Sequence, residues 1–213
     1  MKRPVLLIFA LIGLAGGALV AAEPTLAAPN NVRQSNPFGV VIIDNDLYVN
    51  DASTKSVRKV EIASGAISTF STFAPLPNNR GFGPSVVEAV PDSISVFNKQ
   101  LLVTLLSGFP FPMGNAQVRT VSLANGTNAP FITGLTSAID VLPANGGFFT
   151  LEFSVNQLSP AALGRMKFYA SANATPTVVV STLVTPTSMV RDDKTGTLYV
   201  TEITTGRVMK VSP

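Results

Sequence analysis

Acidic residues recur at matching places along the chain. Asp51 closes the segment Leu47-Tyr48-Val49-Asn50-Asp51, Glu202 closes Leu198-Tyr199-Val200-Thr201-Glu202, and Glu152 closes Phe148-Phe149-Thr150-Leu151-Glu152. With Asp140, these carboxylates are hard oxygen donors of the kind Ca²⁺ gathers in sets of about six to eight. The alternative use is local, each carboxylate accepting backbone N–H groups from a neighbouring turn. Leu105 stands where a further copy of the segment would carry its acid. A second constellation is Gly108-Phe109-Pro110-Phe111-Pro112-Met113-Gly114. Its prolines cannot donate to a sheet, so it must be a stiff loop. The loop either packs its two aromatics on a neighbouring element or presents them as an apolar docking patch. Phe109, Phe111, Asp140 and Glu152 are therefore the candidate ligand-binding residues. No spacing singles out a catalytic residue or a metal-ligand set, and Ca²⁺ is the one cofactor these residues would suit.

What is missing narrows the chemistry further. The 213 residues include no His, Cys or Trp. Without histidine there is no imidazole base and no His-ligated metal. Without cysteine there is no disulfide, thiol nucleophile or cysteine-held cluster. Fifteen basic residues face 12 acidic ones. Lys2 and Arg3 open an uncharged apolar run from Val5 to Val20, followed by small residues, which reads as a bacterial-type export signal over residues 1–22. The alternative cleavage point follows Ala27. The run also approaches the roughly 18 residues of a membrane span, but Gly13, Gly16 and Gly17 weaken it as a helix. The basic excess thus belongs largely to the export signal. No Lys/Arg cluster remains for a phosphate backbone, so nucleic acid is not an expected partner.

The elements that position these residues come from a repeat. Val57-Arg58-Lys59-Val60 returns as Val208-Met209-Lys210-Val211, at the same offset that relates Asp51 to Glu202. Leu101-Leu102-Val103-Thr104 with Val118-Arg119-Thr120-Val121 forms a second copy. Phe148 to Glu152 with Arg165-Met166-Lys167-Phe168 forms a third. A period of about 50 residues is that of a four-stranded propeller blade. In the first copy, strands are expected over Gly39–Ile43, Leu47–Asn50, Val57–Ile62 and Ile67–Phe73, with turns at Asp44-Asn45-Asp46 and Ser64-Gly65. The reading is an all-β propeller of about four blades over residues 36–213. A β-sandwich or barrel is the competing arrangement of many short strands. The fourth copy runs out before an outer strand. The segment of residues 23–35 could provide one from Asn31 to Ser35, closing the ring; otherwise an open half-ring pairs with a second copy. The connection from Phe73 to Pro84 reads as a long surface loop.

Asn36-Pro37-Phe38-Gly39-Val40, Leu47 to Ala52, Val87-Glu88-Ala89-Val90-Pro91 and above all the Gly108–Gly114 segment resemble the ScyD/ScyE family, exported bacterial proteins with an NHL-like β-propeller. The resemblance runs from about Asn36 to Val211 and implies an NHL-like propeller and export. The family carries more sequence ahead of its Asn-Pro-Phe-Gly segment, and a Glu or Gln shortly before Gly108-Phe109-Pro110, where this chain has Leu105-Leu106-Ser107. The expectation is an exported, periplasmic or extracellular, non-enzymatic propeller that binds a small molecule or protein partner. A secreted secondary-metabolite (scytonemin-like) or envelope setting would suit it. The assembly would be a monomer or a homodimer, with no membrane partner once the signal is cleaved. The alternative is a metal-dependent, lactonase-like hydrolase with its site in the propeller channel, built on Asp140, Glu152 and an asparagine.

Overall fold

A computed structural model describes residues 35–144 and 146–212. The expected export signal, both cleavage points and the closing segment apart from Ser35 lie outside the described residues. Every regular element within them is a β-strand.

The first blade is a four-stranded antiparallel meander of β1 (Pro37–Ile43), β2 (Asp46–Asp51), β3 (Ser56–Glu61) and β4 (Ile67–Thr72). Its strands begin and end within two residues of the positions read from the sequence. Alternating apolar positions and short polar turns leave few other registers in which both faces can be buried. A ribbon of β5 (Leu76–Pro77) and β6 (Val86–Val87) braces the long connection to the second blade. That blade comprises β7 (Ala89–Phe97), β8 (Gln100–Ser107), β9 (Ala116–Ser122) and β10 (Asn128–Leu135). The third comprises β11 (Ala138–Ala144), β12 (Gly147–Glu152), β13 (Gly164–Tyr169) and β14 (Thr177–Leu183). The fourth has three strands among the described residues, β15 (Pro186–Arg191), β16 (Leu198–Glu202) and β17 (Arg207–Val211). The four sheets succeed one another as the blades of a β-propeller, with β1, β7, β11 and β15 as the inner strands.

The second and third blades each bury one face against the blade before and the other against the blade after. Because side chains alternate along a strand, neighbouring residues serve different cores. In β8, Leu101, Val103 and Leu105 pack on the first blade, while Leu102 packs on the third. Strand β8 is consequently an almost unbroken apolar run, as a sheet covered on both sides requires. Leu105, read as a break in the row of acids, is fully buried in the core between the first two blades. The second core holds Phe97, Phe131 and Phe148 edge-on or tilted, with Phe148 5.0 Å from each of the other two ring centres. The third joins Phe149, Leu151 and Met166 to Met189, Leu198 and Val200. No hydrophobic core among the described residues joins the first blade to the fourth.

Candidate functional site

The three recurring acids fall at one rim, where β2, β12 and β16 end, and each fastens the entry of its own blade. Asp51 accepts the Asn36 N–H at 3.0 Å, Glu152 the Thr136 N–H at 2.5 Å and Glu202 the Val184 N–H at 2.6 Å. Each of these donors precedes the inner strand that pairs with the acid's own strand. Glu152 is fully buried and is also held by Arg165 and by Lys167, the latter at 3.2 Å. Burial lowers the Lys167 ammonium from its ordinary range, and the Glu152 charge partly offsets this. Burial alone would raise the Glu202 carboxyl, but the Val184 N–H, Arg207 and Thr205 outweigh it and hold the group low. The same competition, with the Asn36 N–H foremost among the lowering contacts, holds Asp51 low.

Asp140 lies apart from Glu152 in function. It sits on β11 and clamps two blades: Oδ1 accepts Val141 N–H and Oδ2 accepts Met189 N–H of the fourth blade, each at 2.8 Å. Ser93 does the same one blade earlier, its Oγ accepting Val141 N–H at 3.1 Å. At the equivalent place in the first blade stands Gly39, where a Cβ would lie 2.7 Å from the Asp92 carbonyl oxygen. The clamp thus recurs in register, with glycine where the backbones approach too closely for a side chain.

Beside this clamp is a polar pair that sequence reasoning did not single out. Asn50 Nδ2 donates to the carbonyl oxygens of Asp92 and Ser93, both at 2.9 Å. Asn50 Oδ1 and Asp92 Oδ2 are buried and find no partner in the protein. Burial, with the Asp140 charge adding to it, pushes the Asp92 carboxyl up to about 8. Asp140 is raised by burial to about 6, its four hydrogen bonds opposing the rise. Among the described residues no group of three or more acidic side chains is placed to hold a metal ion.

The Gly108–Gly114 loop forms a second, different kind of site. The Phe109–Pro110 bond is cis and Phe111 has a φ of 55°. Phe109 is 63% exposed, and its ring stands edge-on to Phe111 at 5.9 Å and to Phe82 at 6.4 Å. Phe82 and Met113 are exposed beside it. The connection of residues 73–88 holds this group in place. Arg80 Nε donates to the Phe111 carbonyl at 3.1 Å, and Nη2 to Asn156 Oδ1 of the third blade at 2.7 Å. Asn79 donates to the Met113 carbonyl, and Asn115 to that of Pro77, at 3.0 and 2.8 Å. Sequence reasoning found Phe109 and Phe111 but missed Phe82 and Arg80. The crowding of Pro, Asn and Gly around Arg80 was the available signal, since such residues build ordered loops. A separate cleft of about 500 Å³, lined by Phe149, Phe168, Val179 and Arg191, opens between the third and fourth blades. None of the four expected ligand-binding residues reaches it.

No protein-family model matches the chain, and no curated protein does. Solved structures do. The computationally designed Ika4 protein aligns with a TM-score of 0.52 at 10% identity, over 92% of this chain and 98% of its own. Regucalcin of Agrobacterium tumefaciens strain C58, a calcium-binding protein, aligns with a TM-score of 0.57 at 11% identity, over 83% of this chain and 54% of its own. The chain thus spans about half the length of regucalcin. At these identities the likeness shows the fold.

Proposed function

We propose that this chain is an exported, non-enzymatic β-propeller that binds an aromatic small molecule or a protein partner through the Phe82, Phe109 and Phe111 cluster. The exposed Phe109 carries the reading. A large apolar ring turned to solvent costs about 1.5–3 kcal/mol relative to burial. Here the loop that carries it is tied down by Arg80 and Asn79 of the preceding connection, with Arg80 anchored in turn to Asn156. Rigid aromatics contribute contact area at small entropic loss, which is why they anchor binding surfaces. By contrast Asp140 and Glu152 have their oxygens engaged within the fold, so they support the site by fixing blade positions. A secreted secondary-metabolite or envelope setting, as the ScyD/ScyE resemblance implies, would present such a surface to either class of ligand.

The test pairs Phe109→Ala plus Phe111→Ala with Phe109→Ala plus Phe82→Ala, using bis-ANS as an aromatic probe. Probe binding should fall at least tenfold in both variants with the thermal midpoint of the second unchanged. Unaltered binding in the Phe82 pair would sink the reading, even if the Phe111 pair unfolds. Amino-terminal sequencing of the purified protein should begin at Glu23 or Ala28; a retained Met1 would refute export by cleavage.

A second reading, the metal-dependent hydrolase, draws support from the two unpartnered oxygens of Asn50 and Asp92. They are two donors where Ca²⁺ takes about six to eight. A protonated Asp92 would also have to lose its proton to serve. Metal analysis decides: a stoichiometric cation lost on Asp92→Asn would favour the hydrolase over the binding module.

A further inference from the structure

Repeat-equivalent side chains meet different fates along the chain. Val57, Val118, Met166 and Val208 occupy one position in the third strand of the four blades, each turned toward the blade that follows. The first three are 0% exposed and Val208 is 65% exposed. Tyr48 and Tyr199 make the same contrast in the second strand, at 5% and 36%. The opposite face tells the complementary story at the other end. Val103, Thr150 and Val200 are fully buried against the preceding blade, while Val49 is only half-buried. Across that face of the first blade, Ile42, Leu47, Val60 and Ile67 form one cross-strand row, with Ile42 58% exposed and Ile67 exposed beside it. Among the described residues there are therefore three complete blade interfaces and the two separated halves of a fourth.

We propose that the occupant of both faces is a second copy of this chain, docked head to tail. The fourth blade of each protomer packs on the first blade of the other, and the two arcs form one eight-bladed ring. The internal interfaces show what such faces receive: the leading face of one blade takes the trailing face of the next. The clamp supplies the register. Ser93 receives Val141 N–H and Asp140 receives Met189 N–H, and the next residue in that series is the exposed Ser188, whose hydroxyl donates at 3.4 Å to Asp140 and keeps its own acceptor capacity. The equivalent donor is Val40 N–H of the second copy, since Val40 pairs with Val49 as Val141 pairs with Thr150 and Met189 with Val200. A head-to-tail contact is heterologous, and it terminates at two chains only if the second contact closes the ring. Eight blades lie within the usual range of about four to eight.

The mass of the full-length protein in solution tests this, by light scattering behind gel filtration. The expected mass is that of two chains. Val208→Asp and Ile42→Asp, both at exposed positions, should each halve it without loss of the folded thermal transition. Should the Val208 variant unfold, Tyr199→Glu on the same face takes its place. An equal mixture of the two variants should restore a two-chain species, because the intact fourth-blade face of one meets the intact first-blade face of the other. A one-chain mass for the unaltered protein overturns the proposal. So do a mass that grows past two chains, a Val208 variant that keeps two chains, and a mixture that stays at one.

Discussion

Asn50 and Asp92 meet across the interface of the first two blades, the Asn50 amide donating to the Asp92 carbonyl at 2.9 Å while Asn50 Oδ1 and Asp92 Oδ2 go unpartnered. A carboxyl in that position is more easily kept neutral than charged. Burial raises it to about 8, whereas the unfolded chain returns it to an ordinary value near 3.8. Between those values the native state holds a proton that the unfolded state releases. Stability from this group is fully present below about pH 4 and declines as pH rises through about 8. Asp140, raised to about 6, acts in the same direction over a narrower window. Thermal melts should therefore fall from about pH 5 to about pH 9, and Asp92→Asn should flatten that decline. Parallel curves for the variant and the unaltered protein would show that Asp92 ionises without cost.

Glu152 joins three elements at once, and its removal should be among the costliest single changes. Glu152→Ala leaves the buried Lys167 ammonium without its partner and the Thr136 N–H without its acceptor. Breaking a buried pair from one side costs about 3–5 kcal/mol. Glu202→Ala should cost less, about 1–3 kcal/mol, because Arg207 is half-exposed and can rehydrate while one backbone N–H loses its acceptor. Urea denaturation midpoints measure both. Equal losses for the two variants would contradict the burial argument.

Much of this was legible because repetition carries information that a single site does not. The strands of the first blade follow from alternation and turn residues, and the period places the other three. The recurring acids were visible as a set, and a position filled in nearly every blade is usually part of the architecture. Asp51, Glu152 and Glu202 have that geometry. Asp92 and Asn50 were not legible, since neither recurs and neither sits in a motif. They meet only because β2 of the first blade packs beside the inner strand β7 of the second. The aromatic loop was visible as chemistry, but its direction was not. The loop is held by Arg80, which bonds the Phe111 carbonyl and Asn156 in the third blade, far along the chain. That the fourth repeat ends after its third strand was readable, whereas the exposure of Val208 required the packing itself.

Gly39 shows where copying the repeat should fail. Ser93 and Asp140 at the equivalent positions make the interblade clamp, so Gly39→Ser would seem to complete the series. A Cβ there lies 2.7 Å from the Asp92 carbonyl and 3.1 Å from the Ile94 nitrogen. The two inner strands must separate to admit it, at about 1–3 kcal/mol for overpacking. A lowered urea midpoint is expected, and a gain in stability would show that the strands yield easily.

The clamp itself gives the last comparison. Asp140 accepts two N–H groups from two blades, and Ser93 accepts one. In Asp140→Ala the Met189 N–H at the third interface loses its acceptor, while Val141 N–H keeps Ser93 Oγ. In Ser93→Ala, Val141 N–H keeps Asp140 Oδ1, so no donor is stranded. Leaving a buried donor unpaired costs about 1–3 kcal/mol, whereas losing one of two acceptors costs about 0.5–1.5 kcal/mol. Asp140→Ala should accordingly be the more destabilising at pH 8. Its deficit should widen at pH 5, where the native Asp140 carboxyl takes up a proton that the unfolded chain holds less tightly and the unaltered protein gains stability. Amide hydrogen exchange at Met189 reports the effect locally: faster exchange in Asp140→Ala and none in Ser93→Ala is expected. The reverse pattern would place the clamp's strength in the serine.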